Sequence, residues 1–294
     1  MFSPNHTIVT EFISLVLTDH PVLEKILFGV FLVIYLITLA GNLGIILLIR
    51  TSSHLQTPMY FFLGHLSFVD ICYSSNITPN MLHNFLSEQK TISYAGWFTQ
   101  CLLFIALVIT EFYILASMAL DRYVAIGSPL PYCSRMSKSI CISLVTVAYM
   151  CGFLNGLSQT LLIFHFSFCG FCEMNHFYCT DPPLIMLACS DTHVKKMATF
   201  AVAGFTLSSS LFIVLLSYLF IFAAILKICS AEGRHKVFST RASHLTISVE
   251  ESKIIAVFYS FLSPMLNPLI YSLRNKDVIL AMQQTIRENA FVKL

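Results

Sequence analysis

Six long apolar runs dominate the chain, and each needs surroundings other than water. They cover residues 27–49, 59–79, 98–120, 140–163, 197–228 and 254–273. A bilayer core about 30 Å thick is crossed by about twenty helical residues. The pattern therefore predicts an all-α membrane protein, a helical bundle with six spans and one transmembrane domain over residues 1–294. Of all residues 56% are hydrophobic and only 11% charged, too few polar groups for a soluble globular enzyme. No convergent catalytic cluster is visible, so neither an enzymatic role nor a catalytic residue is expected. The basic residues are scattered between the apolar runs. A nucleic-acid binder would gather them on one face, so the expected partner is the lipid bilayer and not nucleic acid.

Loops rich in Lys and Arg stay on the cytoplasmic side of a membrane. The loops after runs one, three and five carry Arg50, then Arg122, Arg135 and Lys138, then Lys227, Arg234, Lys236 and Arg241. The N-terminal segment and the loops after runs two and four carry only Lys25, Lys90, Lys195 and Lys196. This bias predicts an extracellular N-terminus. Asn5-His6-Thr7 is a glycosylation sequon in that segment, which makes Asn5 the candidate acceptor. A second sequon, at Asn76, falls within a span and is expected to be inert. The first 21 residues lack the basic and apolar regions of a cleavable signal peptide. Six spans from an outside N-terminus would leave the C-terminus outside. Yet Arg274, Lys276, Arg287 and Lys293 favour the inside.

Several residues inside or beside the runs carry chemistry. Asp70 and Glu111 lie within apolar helices, where an unpaired charge costs about 2.5–3.5 kcal/mol, so both should face the bundle interior. Either protons and hydrogen bonds or a shared cation would satisfy them. Asn267-Pro268 interrupts the last helix locally. Asp121-Arg122-Tyr123 ends the third run, about 35 Å from its start at 1.5 Å per residue, at the cytoplasmic interface. Of ten Cys, Cys72, Cys101, Cys141, Cys151 and Cys229 sit in or beside apolar runs and read as free, small hydrophobes. Cys169, Cys172, His176 and Cys179 mimic the spacing of a zinc knuckle. An extracellular loop oxidises its thiols, so disulfides among Cys169, Cys172, Cys179 and Cys189 are favoured over metal.

Six strings then occur in order. Pro58-Met59-Tyr60-Phe61-Phe62-Leu63 is followed by Leu66-Ser67-Phe68-Val69-Asp70. Met118 to Ile126 encloses Asp121-Arg122-Tyr123. Lys236-Val237-Phe238-Ser239-Thr240 precedes Ser243-His244-Leu245, and Pro264-Met265-Leu266-Asn267-Pro268-Leu269-Ile270-Tyr271 ends the last run. Together they closely resemble the vertebrate odorant receptors, a branch of the rhodopsin-like G-protein-coupled receptors, over nearly the whole chain. The resemblance implies a plasma-membrane receptor for small volatile odorants that activates a stimulatory G protein. It implies a switch in which Asp121 pairs with Arg122 at rest, beside Tyr123. On activation Arg122 would move toward Tyr218 and Tyr271, with Asn267-Pro268 as hinge. It also implies a bound Na⁺ shared by Asp70, Glu111 and Asn267. An odorant pocket between spans three, five and six would draw on Phe104, Ile105, Val108, Val202, Phe205 and Thr206.

The chain departs from the family pattern in several places. The family's Cys at the top of span three is Trp97 here. The implied bridge from that position to a loop Cys, Cys179 by resemblance, therefore lacks its usual partner. Cys101, one turn deeper, would be a strained substitute, Cys172 could take Cys179 instead, and Cys169–Cys189 remains open. Leu120, Gly127, Pro131 and Arg241 replace the usual Tyr, Cys, His and Cys. Most importantly, Ser243-His244-Leu245-Thr246 runs directly into Ile247-Ser248-Val249-Glu250-Glu251-Ser252-Lys253, where the family has another span of about twenty residues. The chain reads as a seven-span receptor without span six. Its last run is then expected to invert or to fail to span, impairing signalling. One alternative is a degenerate or splice-variant receptor product held in the endoplasmic reticulum. A six-span transporter or channel would require repeat symmetry or a polar pore stripe, and neither is visible.

Overall fold

The computed structural model describes residues 11–14, 21–87, 91–127, 132–164, 173–174, 262–274, 278–281 and 283, with six positions between 204 and 219. Helices α1 (Pro21–Thr51), α2 (Pro58–Leu86), α3 (Tyr94–Gly127) and α5 (Lys138–Phe164) contain the first four apolar runs, and a single turn, α4 (Tyr132–Arg135), precedes α5. Each long helix overshoots its apolar run at both ends. The run marks the lipid-facing stretch, while the helical hydrogen bonds continue into the headgroup layer. At the start of α2, Thr57 is extended and Pro58 enters the first turn, where its missing N–H costs nothing. Within the fifth run Gly204, Ser208, Phe212, Leu215, Leu216 and Leu219 are helical, and Phe212, Leu215 and Leu219 are exposed.

Segments Val22–Thr51, Ala95–Ala125 and Lys138–Leu162 are long and apolar enough to cross a membrane. Helix α2 is as long but more polar, and packing explains why. It lies against α1, α3, α5 and the last helix, so Asp70, Ser67, Ser74 and Thr78 are buried in protein and not in lipid. Two clusters hold the described helices together. One joins Ile45, Leu48, Leu55, Phe62, Leu66, Ile114 and Val145 near the end where α1 finishes. The other joins Phe31, Tyr73, Ile77, Met81 and Phe85 toward the opposite end.

Lipid tails are as apolar as Leu, so helices in a bilayer associate through close packing. The α3–α5 contact shows this most clearly. A Cβ on Gly152 would collide with Thr110 Oγ1 and lie 2.5 Å from the Ala106 carbonyl oxygen. A Cβ on Gly156 would lie 2.8 Å from the Leu102 carbonyl oxygen. The Gly152-x-x-x-Gly156 spacing presents both on one helical face.

The last run contributes α6 (Ser263–Arg274). Its 12 described residues span about 18 Å; residues 254–261 of the same run lie outside the described residues. Asn42 donates to the Pro264 carbonyl, a Cβ on Gly41 would lie 3.2 Å from Pro268, and Asn267 meets Asp70. Val278 and Ala281 then join the cluster of Leu48 and Leu55, not that of Phe31. Helix α6 therefore runs parallel to α1 and finishes at the same end, which goes against the inversion; the other expected outcome, a failure to span, turns on residues 254–261, which lie outside the described residues.

A small sheet adds to the helices. Strands β1 (Glu11–Ser14), β2 (Thr91–Ser93) and β3 (Glu173–Met174) stand in the order β2-β1-β3. Strand β1 pairs antiparallel with β2, Phe12 facing Ile92, and parallel with β3, Ile13 facing Glu173.

Candidate functional site

The middle of the bundle is polar where three helices meet. Asp70 on α2 is 1% exposed and Glu111 on α3 is 5% exposed. From α6, the Asn267 amide donates to both Asp70 oxygens, at 3.1 Å and 3.4 Å. The same amide is within hydrogen-bonding reach of the Glu111 carboxyl, and the two acids lie close enough to interact electrostatically. The structure thus brings together Asp70, Glu111 and Asn267. Among the described residues no group of three or more His, Cys, Asp or Glu side chains is arranged to hold a metal ion. What the site offers is two carboxyl groups, a hard-oxygen pair, with the Asn267 N–H donors turned toward Asp70.

Pro268 lies on the same helix. It has no N–H, so the carbonyl of Pro264, four residues back, loses its helical donor. The Asn42 amide of α1 donates to that carbonyl at 3.0 Å and to its own Thr38 carbonyl at 3.0 Å. The break foreseen at Asn267-Pro268 is therefore re-satisfied from a neighbouring helix. Asn42 was not singled out from sequence; its only signal there is a polar residue inside an apolar run.

At the end of α3, Asp121 is 3% exposed and Arg122 partly buried. The Tyr132 hydroxyl of α4 donates to Asp121 Oδ1 at 2.8 Å. The Arg122 guanidinium also acts electrostatically on Asp121. Tyr132 is a second group missed from sequence, although it directly follows the altered Pro131. Tyr123 is partly buried and Tyr271 lies in α6, while Tyr218 is outside the described residues.

Of the expected pocket residues, Phe104 and Val108 pack on the cluster of α1 and α2, with the Phe104 ring 5.5 Å from Tyr73. Ile105 is partly buried. Val202, Phe205 and Thr206 lie outside the described residues, as do Asn5, Cys169, Cys172, Cys179 and Cys189. Asn76 is engaged inside the bundle, its amide donating to the Gln100 carbonyl at 3.0 Å.

The cysteines correct one expectation. Cys72, Cys141 and Cys151 are free, as read from sequence. Cys101, read both with them and as a strained substitute for the Cys replaced by Trp97, is disulfide-bonded. The geometry accounts for this: Cys101 follows Trp97 by one helical turn on the same face of α3. A bridge aimed at that face reaches the next turn when Trp97 occupies the first. Its partner is outside the described residues.

Comparison with known proteins agrees with this arrangement. A family model described as Olfactory receptor matches residues 31–251. Human Olfactory receptor 5M10 is 80% identical over 313 aligned positions, covering 100% of this chain and 99% of that protein. Human Olfactory receptor 5M1 is 79% identical with the same coverage. Olfactory receptor 5M5 of Mus musculus is 57% identical over 312 positions, covering 100% of this chain and 98% of that protein.

Proposed function

We propose that this chain, which belongs to the olfactory receptor family of G-protein-coupled receptors, is an odorant receptor impaired in signalling because it lacks span six. Family membership makes it a non-enzymatic, multi-pass protein of the plasma membrane. It also leaves the transporter or channel reading without support. The finer reading is that it takes small, mostly apolar volatiles and is built to couple to a stimulatory G protein. Asp121-Arg122-Tyr123 forms the switch, with Tyr132 holding Asp121 at rest. Asp70, Glu111 and Asn267 are suited to share a Na⁺, since two buried carboxylates need either protons or a cation beside them.

One observation carries the loss of span six. The comparison with 5M10 runs over 313 positions, but the chain has 294 residues. At least 19 positions therefore have no residue of this chain opposite them, one span's worth. The family match also ends at residue 251, in the polar segment before the last run. Switching in a two-state receptor needs an element that changes place, and span six is that element in this reading.

The test is a cyclic-AMP reporter with a broad odorant panel and an epitope tag after Leu294. The unmodified chain should give no odorant response, with the tag on the cytoplasmic side. Inserting an apolar span of about twenty residues after Thr246 should restore the response. A robust response from the unmodified chain overturns the proposal. Glycosidase treatment beside an Asn5→Gln variant tests the extracellular N-terminus; unchanged gel mobility in both counts against it. The tag also separates impaired signalling from retention: reticulum-restricted staining favours the retained-product alternative.

A further inference from the structure

Toward the end of the bundle where α1 begins and α2 finishes, α2 presents three amides in a row. Asn76, Asn80 and Asn84 are spaced by four residues and share one helical face. Two of them tie α2 to one residue of α3. The Asn76 amide donates to the Gln100 backbone carbonyl at 3.0 Å, and the Asn80 amide donates to Gln100 Oε1 at 3.1 Å. Such bonds hold helices together in lipid, and they account for Asn76 and Asn80. They do not account for Asn84. It is 6% exposed, and its Oδ1 is buried without a hydrogen-bond partner among the described residues. A buried acceptor of this kind calls for a donor.

We infer that this row reads the hydroxyl group of a small aliphatic alcohol, its O–H donating to Asn84 Oδ1 and its hydrocarbon tail lying toward Phe104. The inference rests on the reading that the chain takes small volatiles, and it names their class. The surroundings fix the tail. Tyr73 and Ile77 lie two turns before Asn80 and Asn84 on the same side of α2, and both are buried. Phe104, one turn beyond Gln100 on α3, has its ring 5.5 Å from Tyr73. A polar end therefore stands directly above an aromatic and aliphatic one. Asn80 is partly exposed, which leaves the row open beside Asn84. Its NH₂ carries two donors, and one suffices for Gln100; the other suits the alcohol oxygen. An ether, ketone or ester brings acceptors only and leaves Asn84 unpaired. A protonated amine brings a donor, but also a charge that three amides do not neutralise.

The test needs no signalling, because the chain holds a single Trp. Trp97 is buried and shares a face of α3 with Gln100, one turn away, so its emission reports on this site. The full chain in detergent is titrated with hexanol and with methyl pentyl ether, isomers that differ in having or lacking the O–H donor. Hexanol should shift the Trp97 emission saturably. One hydrogen bond corresponds to about tenfold in affinity, so the Kd for hexanol should be about tenfold below that for the ether. Asn84→Leu, which keeps the shape and removes the acceptor, should bring the ratio close to one. Asn80→Leu should lower it as well. Melting curves identify a variant that fails to fold, and the other then decides. Equal affinity for the two isomers overturns the selection and leaves the odorant reading standing. An alcohol preference that survives both substitutions, or no saturable response to hexanol, overturns the inference; the odorant panel tests the wider reading separately.

Discussion

Asn42 on α1 donates a hydrogen bond of 3.0 Å to the carbonyl of Pro264, the acceptor that Pro268 leaves without its helical N–H. The two residues are 222 positions apart, and their contact converts a helix defect into a point of attachment. Removing the amide strands a buried carbonyl, at a cost of about 1–3 kcal/mol. Asn42→Ala should therefore lower the melting temperature in detergent. Pro268→Ala should lessen that loss by returning the N–H to α6, so the double variant should be less destabilised than the two single effects added together. Strict additivity would show that the contact contributes nothing.

Gly152 sets the distance between α3 and α5. Replacing it with Ala puts a methyl group against Thr110 Oγ1 and the Ala106 carbonyl, an overpacking worth about 1–3 kcal/mol. The folded yield of Gly152→Ala, measured by size-exclusion fluorescence, should fall well below that of Gly44→Ala. Gly44 has nothing within 4 Å of an added Cβ, so its substitution serves as control. Equal yields would mean that the helices separate at no cost.

Loss of the Cys101 bridge should destabilise the chain by about 2–4 kcal/mol. Cys101→Ser should lower both surface expression and melting temperature, and the unmodified chain should lose the same stability on reduction. Trp97→Cys in that background should recover part of it, because the two positions share a face of α3. Peptide mapping without reductant identifies the partner among Cys169, Cys172, Cys179 and Cys189.

Tyr132→Phe removes the hydroxyl that holds Asp121. In the chain with its missing span restored, agonist-free cyclic AMP should rise, since a hydrogen bond to a charged group contributes about 1.5–3 kcal/mol to one of the two states. Arg122→Ala in the same background should abolish both basal and odorant-driven signal. A Tyr132→Phe variant with unchanged basal signal would show that this bond does not favour the resting state.

The helices were legible because lipid disfavours charge within a span, and the apolar runs of α1 and α5 carry none. Asp70 and Glu111 were legible for the same reason, as exceptions that only a protein interior tolerates. What escaped depended on partners far apart in the chain. Asn42 looks like an isolated polar residue until α6 lies beside it. Tyr132 reads as a loop tyrosine until α4 turns it toward Asp121. Cys101 read two ways, as a free hydrophobe like Cys141 and as a strained substitute one turn below Trp97, and only the folded chain chooses the second. The orientation of α6 was misread because it is set by contacts with Asn42, Gly41 and Asp70, all far away in the chain.

The small sheet has a consequence for how the chain is made. Strand β1 is the central strand, so β2 and β3 are joined only through it. Its parallel partner opposite Ile13 is Glu173, which the ribosome reaches 160 residues later. At about 5–20 residues per second, β1 waits roughly ten to thirty seconds for its second neighbour, while the four long helices between them are made. Throughout that interval it presents an open strand edge. A tag or glycan placed beside it therefore acts on the timing of assembly as well as on the finished surface.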